Sequence, residues 1–575
     1  MTMRGYYVKA IGSNRGAPRI WLEGKQVESA GLAAGSRFDI KIAGGSVVLQ
    51  AKPDGSRVVS SKKKGDRDLP IIDINSKELL AIFDGMSSIR LMQREGQIYL
   101  MPLASELKKK ERLGRLKKAL LSGDPITMGS ISHGGGVMTH AIHSGLQDAG
   151  VTSKLSFANE IRSELIEQAS HANSAWDKDT IALGAPVQEL AFDHKASELI
   201  PKIHILEAGL PCSGASSSGK AKRGLVHAEA HPEVGHLVVA ALVILSKVNP
   251  AIFVLENVVP YSASASADIL RNQLRDMGYV THETVLNGSD FNDIEERKRW
   301  CLVAVTEGMA FDWDMLQKPE KKTVVLSDLL DDIPSDSPLW SEMKGLKAKQ
   351  ERDVAAGKGF KMQIVDADAT RVPTMTKGYA KVRSTDGKVR HPENPDLLRQ
   401  FTPGENAKFK QIPVDLIKGL SNTIAHELLG QSVSHSSFTA VGRLLGDTLK
   451  TFAAEMGIDM SKPKAIAQVA AAIADEITDS ADKVVSEIRR PAKGATYEGV
   501  VTVSDLGMII QDVGNGVGIL HDATKLAQDH NVSLGSILEI HYPKSGAAVV
   551  IDQGAMDEQH DPLGASSSKG MSLSH

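Results

Sequence analysis

An α/β fold flanked by small β-rich domains is what this sequence predicts, and three observations predict it. From Pro125 onward, apolar strand-like runs alternate with glycine turns and helical periods. Ahead of that region, two short β units repeat at an offset of 52 residues. Beyond residue 493, short strands separated by glycine turns return. At 575 residues the chain is too long for one core, so several domains are expected. Its 42% hydrophobic and 24% charged residues are those of a globular chain.

The net charge of −3 hides an asymmetry. Residues 1–122 hold 23 Lys and Arg against 12 Asp and Glu, a net +11 that leaves −14 for the remainder. A basic amino-terminal module fits nucleic-acid binding, and an ordinary solvated face with a basic linker fits equally well. Within it, RIWLEGKQVESAGLAAGSRFDIKIAGGSVVLQ (19–50) aligns with IIDINSKELLAIFDGMSSIRLMQREGQIYLM (71–101). The alignment sets Lys25 against Lys77, Val27 against Leu79, Gly44 against Gly96 and Val48 against Leu100. Each copy reads as strand, short helix, strand, turn, strand. The region divides into a β unit at 1–55, a second unit at 56–104, with SKKKGDRD (61–68) as connector, and a basic helical linker at 105–123.

PITMGSISHGGGVMTHAIHSGLQDAG opens a central region, 124–305, with a strand, a glycine-rich turn at 134–136 and a helix. KLSFANEIRSELIEQ gives a second strand ending at Glu160, where an acid can take both hydroxyls of a ribose. Cys212, one of only two cysteines, follows the apolar run IHILEAGL in GLPCSGASSSG (209–219). That places it just past the carboxyl end of a strand, where open α/β sheets gather their ligand sites. A nucleophile and a plain loop cysteine both fit the spacing. Cys301, inside RWCLVAV, reads as a small buried hydrophobe. With no CxxC pair and no apolar stretch of secretory or transmembrane type, the expectation is a reducing cytoplasm without disulfide scaffold, thiolate zinc cluster or membrane. NPAIFVLENVVPY is a further buried strand ending in Glu256 and Asn257, and SDFNDIEERKRWCLVAV leads Arg297 and Arg299 into another. RQFTPGENAKFKQIP and AHELLGQSVSHSSFTAVGRLL follow.

Taken in order, the glycine turn, acidic strand end, Pro-Cys, Glu-Asn-Val, paired arginines, RxxTPxE and GQSV resemble the cytosine-C5 methyltransferase family across roughly residues 124–450. The resemblance implies a Rossmann-like S-adenosylmethionine-dependent catalytic domain (124–305), an inserted target-recognition region (306–420) and a return segment (421–450). Pro211 and Cys212 match the nucleophile loop, Glu256, Asn257 and Val258 the Glu-Asn-Val element, and Arg297 and Arg299 the arginines of QxRxR. Ser132, His133, Gly134, Gly135 and Gly136 match the cofactor turn, and Glu160 the ribose carboxylate. Residues 430–433, including Ser432 and Val433, match the element that completes the cofactor pocket. Several positions depart from the family pattern. Ser213 stands for a glutamine, His133 for a glycine, Glu295 for the glutamine of QxRxR and Ile294 for its preceding proline, while GAPVQEL lacks a clear aspartate for the adenine.

The chemistry that the resemblance implies explains these residue types. Cytosine C5 becomes nucleophilic once a thiolate, here Cys212, adds to C6. A cationic neighbour such as Arg297 or Arg299 raises the thiolate fraction. Glu256 meets N3 and the exocyclic amine as charge develops on the ring, and an arginine steadies O2. The base must leave the duplex stack first, so double-stranded DNA is the implied partner, with no metal. Lys220, Lys222 and Arg223 in the loop after Cys212 are placed to reach phosphates or simply to be solvated.

The flanks carry their own resemblances. The first amino-terminal copy resembles SymE-like relatives of AbrB-type swapped-hairpin domains, which bind DNA. After a helical linker at 451–492, residues 493–552 resemble the KfrB-like modules of plasmid and mobile-element proteins, and a disordered tail is expected at 553–575. His521 reads as structural. The implied setting is the nucleoid-associated cytoplasm of a bacterial or phage-infected cell. A paired restriction enzyme or mobile-element partner has no signature of its own here. Two other classes stay open: an RNA cytosine-C5 methyltransferase, and a catalytically silent DNA-binding regulator that keeps the fold.

Overall fold

The computed structural model describes residues 3–43, 46–77, 79–83, 85–211, 214–215, 227–358, 361–383, 385–462, 487–505, 508–513, 517–522, 526, 537–544 and 548–552. The chain forms two compact units, Arg115–Lys464 and a second made of Met1–Gly114 with Ala465–His575.

The first unit is built on a seven-stranded sheet: β1 (Ile126–Ile131), β2 (Ser153–Asn159), β3 (Ile181–Leu183), β4 (Ile205–Ala208), β5 (Ile252–Asn257), β6 (Tyr279–Asn287) and β7 (Lys298–Thr306). Their spatial order is β3-β2-β1-β4-β5-β7-β6. Strands β1 to β5 run parallel, and β7 is antiparallel to both β5 and β6. All six residues of β5 and all four of β4 are buried, as strands covered on both faces require. Because β1 lies between β2 and β4, chain connections leave it in opposite directions, and a crevice opens outside the carboxyl ends of these strands. The antiparallel β7 has a second consequence. Its first residues lie beside the last residues of β5, with Asn257 opposite Trp300 and Glu256 opposite Cys301.

Two later helices return to the front of this sheet. Helix α1 (Val137–Asp148) follows β1, while α2 (Asn422–Gln431) and α3 (His435–Glu455) come from the far end of the unit. Glycines let α1 and α3 approach closely. A methyl on Gly145 would come within 2.0 Å of the Thr439 carbonyl oxygen, and one on Gly442 within 2.4 Å of that of Ile142. Helix α3 runs to Glu455, five residues past the 450 boundary expected for the return segment. Between β7 and α2 the chain forms short strands, Gln363–Val365, Gly387–Arg390 and Leu398–Arg399, over a separate core that includes Leu326, Val372, Tyr379, Phe401 and Phe409. The helix Lys344–Ala355 there buries none of its side chains.

In the other unit the two sequence copies interlock. Equivalent strands Ala17–Glu23 and Arg67–Ile74 pair antiparallel, setting Leu22 opposite Ile72. The hairpin strands Ser46–Ala51 and Gln97–Pro102 pair in the same way, Leu49 opposite Ile98. Both copies feed one core, with Ile20, Leu22, Val47 and Leu49 meeting Ile72, Ile74, Ile98 and Leu100. The expected connector at 61–68 is itself a hairpin, Ser60–Lys64 with Arg67–Ile74. The basic segment expected at 105–123 is a helix, Ala104–Ser122. Its Arg115 donates to the carbonyls of Ile203 (3.0 Å) and Asn249.

The carboxyl-terminal residues form a six-stranded sheet in which Gln511 and His521 are buried. Gln511 donates to Leu538 O (2.6 Å) and pairs with His521 Nε2 (3.0 Å), whose Nδ1 meets the Tyr542 hydroxyl (2.9 Å). Burial holds His521 down at about 4, a core histidine with both nitrogens partnered. Most of the alanine-rich segment of the expected 451–492 linker, and the tail at 553–575, lie outside the described residues.

Candidate active site

Three chain turns meet the crevice. The first leaves β1 through Ser132 (φ 56°), Gly134 (φ 56°) and Gly136 (φ 75°), left-handed conformations that glycine adopts without strain. Among the described residues no side chain caps α1 at Gly136, and the amino terminus of a 12-residue helix favours an anionic group. Among the described residues nothing lies within 4 Å of a methyl built on Gly134, while one on Gly135 would meet Leu428 of α2 at 2.2 Å. The return helix therefore backs the turn directly. Glu160, at the end of β2, accepts from Gly134 N (2.8 Å) and Arg162 N (3.0 Å), which fixes the carboxylate beside the turn. Asn159 donates to Leu183 O (3.0 Å) and to Ala185 O (2.6 Å), the latter within the stretch that lacks an aspartate.

The second turn leaves β4 through Gly209, Leu210 and Pro211. Gly209 N donates to Ile131 O (3.1 Å), and the Asn257 side chain donates to Leu210 O (3.1 Å). Asn257 is 1% exposed, so this clamp is a buried one. Cys212 and Ser213 lie outside the described residues, as do Lys220, Lys222 and Arg223. The third turn leaves β5 at Glu256, which is 8% exposed and accepts from Arg299 Nε at 2.7 Å. Arg299 reaches it because β7 starts where β5 ends.

Arg297 goes elsewhere. It is 2% exposed, and it donates to Glu295 (3.3 Å) and to Gly430 O (3.2 Å), which ties β7 to α2. Glu295 also accepts from the fully buried Lys410 (2.9 Å), whose ammonium donates to Asn406 as well (2.7 Å). Burial pulls the Lys410 ammonium down while Glu295 holds it up. Ser432 is hydrogen-bonded to Leu428 O (2.7 Å), and Val433 is buried at the end of α2. Cys301 is fully buried in β7, and burial pushes its thiol far up. Among the described residues, no group of three His, Cys, Asp or Glu side chains is placed to hold a metal ion.

Sequence reasoning missed several buried polar neighbours of the site. Glu207, Thr139 and Trp176 lie under the glycine turn, and Lys410 neutralises Glu295. A signal existed for one of them: Glu207 interrupts the apolar run of β4.

An open parallel sheet with one reversed strand, and with a glycine turn and polar strand ends at its crevice, defines a methyltransferase-type α/β domain. The chain belongs to the C-5 cytosine-specific DNA methylase family, whose family model matches residues 140–446. It is 26% identical over 261 residues to the Type II methyltransferase M1.ScrFI of Lactococcus lactis subsp. cremoris, covering 44% of this chain and 64% of that protein. It is 28% identical over 261 residues to M.MspI of Moraxella sp, covering 44% and 58%. The chain thus spans less than two thirds of the length of these relatives. The crystal structure of S. pombe Dnmt2 methyltransferase aligns with a TM-score of 0.45 at 18% identity, over 57% of this chain and 99% of that one.

Proposed function

We propose that this protein is a DNA cytosine-C5 methyltransferase using S-adenosylmethionine. The observation that supports it most is the meeting of the clamped loop at Pro211 with the buried Glu256–Arg299 pair at the carboxyl ends of β4 and β5. Cys212 directly follows Pro211 in sequence and is the nucleophile that adds to C6 of a flipped cytosine. Glu256 hydrogen-bonds the N3 edge as negative charge develops there, and Arg299 holds that carboxyl in place and adds positive potential. Asn257 orients the loop through Leu210. Arg297 acts at one remove, by fastening β7 to the return segment.

The turn at 132–136, the amino terminus of α1, Glu160 and the chain at Ser432 and Val433 fit S-adenosylmethionine, an amino-acid carboxylate at the helix end and a ribose at the acid. The cofactor supplies the electrophilic methyl group. Residues 306–420 are the target-recognition region, and the basic amino-terminal repeat and the carboxyl-terminal sheet are the SymE/AbrB-like and KfrB-like modules. Among the described residues no helix is long and apolar enough to cross a membrane, and we place the protein in the cytoplasm on double-stranded DNA.

Bisulfite sequencing of DNA and RNA from cells expressing the protein tests this reading. Protected cytosines in one DNA sequence context are expected, and Cys212→Ser should abolish them, because a neutral hydroxyl is a far weaker nucleophile than a thiolate. Protection confined to RNA, or undiminished in Cys212→Ser, overturns it.

A further inference from the structure

Beneath the glycine turn lies a buried polar chain that the reaction above does not use. Glu207 sits in the middle of β4, 2% exposed, at a position where every neighbour along the strand is apolar. Its Oε1 accepts from Thr139 Oγ1, in the first turn of α1, at 2.5 Å. His133, inside the turn, places Nδ1 2.9 Å from Ser130 Oγ and 3.1 Å from Thr139 Oγ1. Its Nε2 lies 3.3 Å from the indole nitrogen of Trp176.

The direction of this chain follows from its end groups. An indole nitrogen only donates, so His133 Nε2 accepts and Nδ1 carries the ring hydrogen. Burial pushes His133 down to about 3, so the ring is neutral and has that one hydrogen to give. It goes to Ser130 Oγ, the nearer hydroxyl. Ser130 and Thr139 then spend their own hydrogens on Glu207, whose carboxyl burial pushes up to about 7 against the pull of those two hydroxyls, with Glu256 adding to the rise. The ring is packed tightly against the turn. A methyl on Gly136 would come within 2.6 Å of His133 Nε2 and of Asn173 Nδ2, and that amide also donates to Gly136 O (2.9 Å). His133 O in turn accepts from Gly136 N (2.9 Å).

We propose that Glu207 and His133 are positioning residues for S-adenosylmethionine: the chain from Trp176 through His133 and Ser130 to Glu207, joined there by Thr139, holds the turn at 132–136 and the start of α1 in the shape that binds the cofactor. The inference rests on the methyltransferase reading and deepens it. Where a smaller residue in the turn would leave its shape to glycine backbone alone, this chain fixes it with a side chain rooted in the neighbouring strand. The cost falls on cofactor affinity when the root is removed, and not on the methyl-transfer step.

Calorimetric titration of the full-length protein with S-adenosylhomocysteine, beside steady-state kinetics, tests this. Glu207→Leu keeps the strand apolar but strands two hydroxyl donors, so affinity should fall about tenfold. KM for S-adenosylmethionine should rise in step, and kcat at saturating cofactor should stay within about threefold. Glu207→Gln retains an acceptor oxygen and should recover most of the affinity. Should Glu207→Leu fail to fold, Thr139→Val removes one donor and carries the same test at about threefold amplitude. Variants that bind as the wild type does, or that lose kcat with affinity unchanged, overturn the inference. A wild-type protein that binds no S-adenosylhomocysteine overturns the methyltransferase reading instead.

Discussion

A buried arginine two residues from Arg299 needs its own counter-charge. Arg297 has Glu295, and Glu295 is shared with Lys410, which the nearby Asp293 carboxyl also supports, so two buried cations share the Glu295 carboxylate. Glu295→Gln would leave both without it and should cost roughly 3–5 kcal/mol. In a cycle with Lys410→Gln, the double variant should cost less than the sum of the two single variants, by about 0.5–3 kcal/mol of coupling. Urea unfolding of the four proteins in this cycle reads it directly. A double variant whose cost equals the sum of the two single variants would show that Lys410 does not depend on Glu295. The same residues show what sequence conveys at this scale. Glu256, Asn257 and Glu160 were legible as polar residues at the ends of apolar strands, and they stand there. Lys410 was not legible as the partner of Glu295, because 115 residues separate them and only folding makes one charge answer the other. Glu207 could be noticed as an interruption of an apolar run, but its partners Ser130 and Thr139 come from β1 and α1.

Among the elements, the central strands and the helix after the glycine turn could be read from periodicity, because burial on both faces of a parallel sheet forces apolar runs. Residues 306–420 could not. Their strands are two to four residues long, and their core draws on positions as scattered as Leu326, Val372 and Phe409. The closure of the unit by α3 against α1 was visible only as a resemblance, and the side chains between the two helices carry a pH dependence. His140 Nδ1 meets His435 Nε2 at 2.9 Å across this close helix pair, with the Asp148–Arg443 ion pair (2.7 Å) beside it and His143 bonded to Ser153 (2.8 Å). Burial lowers both histidines, His435 to about 4, and each ring's charge would oppose the other's. The folded state therefore binds fewer protons than the unfolded chain below about pH 6.5, and stability is lost as pH falls from there toward 4. For His435 the loss is on the order of 3 kcal/mol. Melting scans of the wild type and of His435→Gln over that range should show a smaller drop in the variant. Parallel curves would assign the acid sensitivity to other groups.

For the whole molecule, the charge division between 1–122 and the rest is the feature that a binding measurement can test. The strand Ser60–Lys64 is exposed along its full length and carries three lysines, of which Lys63 lies opposite Asp68 and Lys64 opposite Arg67 in the hairpin. Lysines on an exposed edge also discourage strand-to-strand aggregation, so charge alone does not separate that role from DNA binding. The salt dependence of binding does. Each phosphate that a protein neutralises contributes about 0.9 to the slope of log affinity against log salt. The cut belongs before Ala104, because the helix Ala104–Ser122 anchors Arg115 to Ile203 O and carries its own lysines. Removing residues 1–103, which hold 16 Lys and Arg against 10 Asp and Glu, should make the slope for nonspecific DNA shallower in proportion to the phosphates those residues neutralise. Methylation of short duplexes at saturating concentration should stay within about tenfold, since every group assigned to chemistry lies beyond Pro125. Affinity measured from low to moderate salt, with and without residues 1–103, decides the matter. An unchanged slope would make the interlocked repeat a protein-interaction unit, and a collapse of methylation at saturating DNA would show that the catalytic unit needs the repeat for more than affinity.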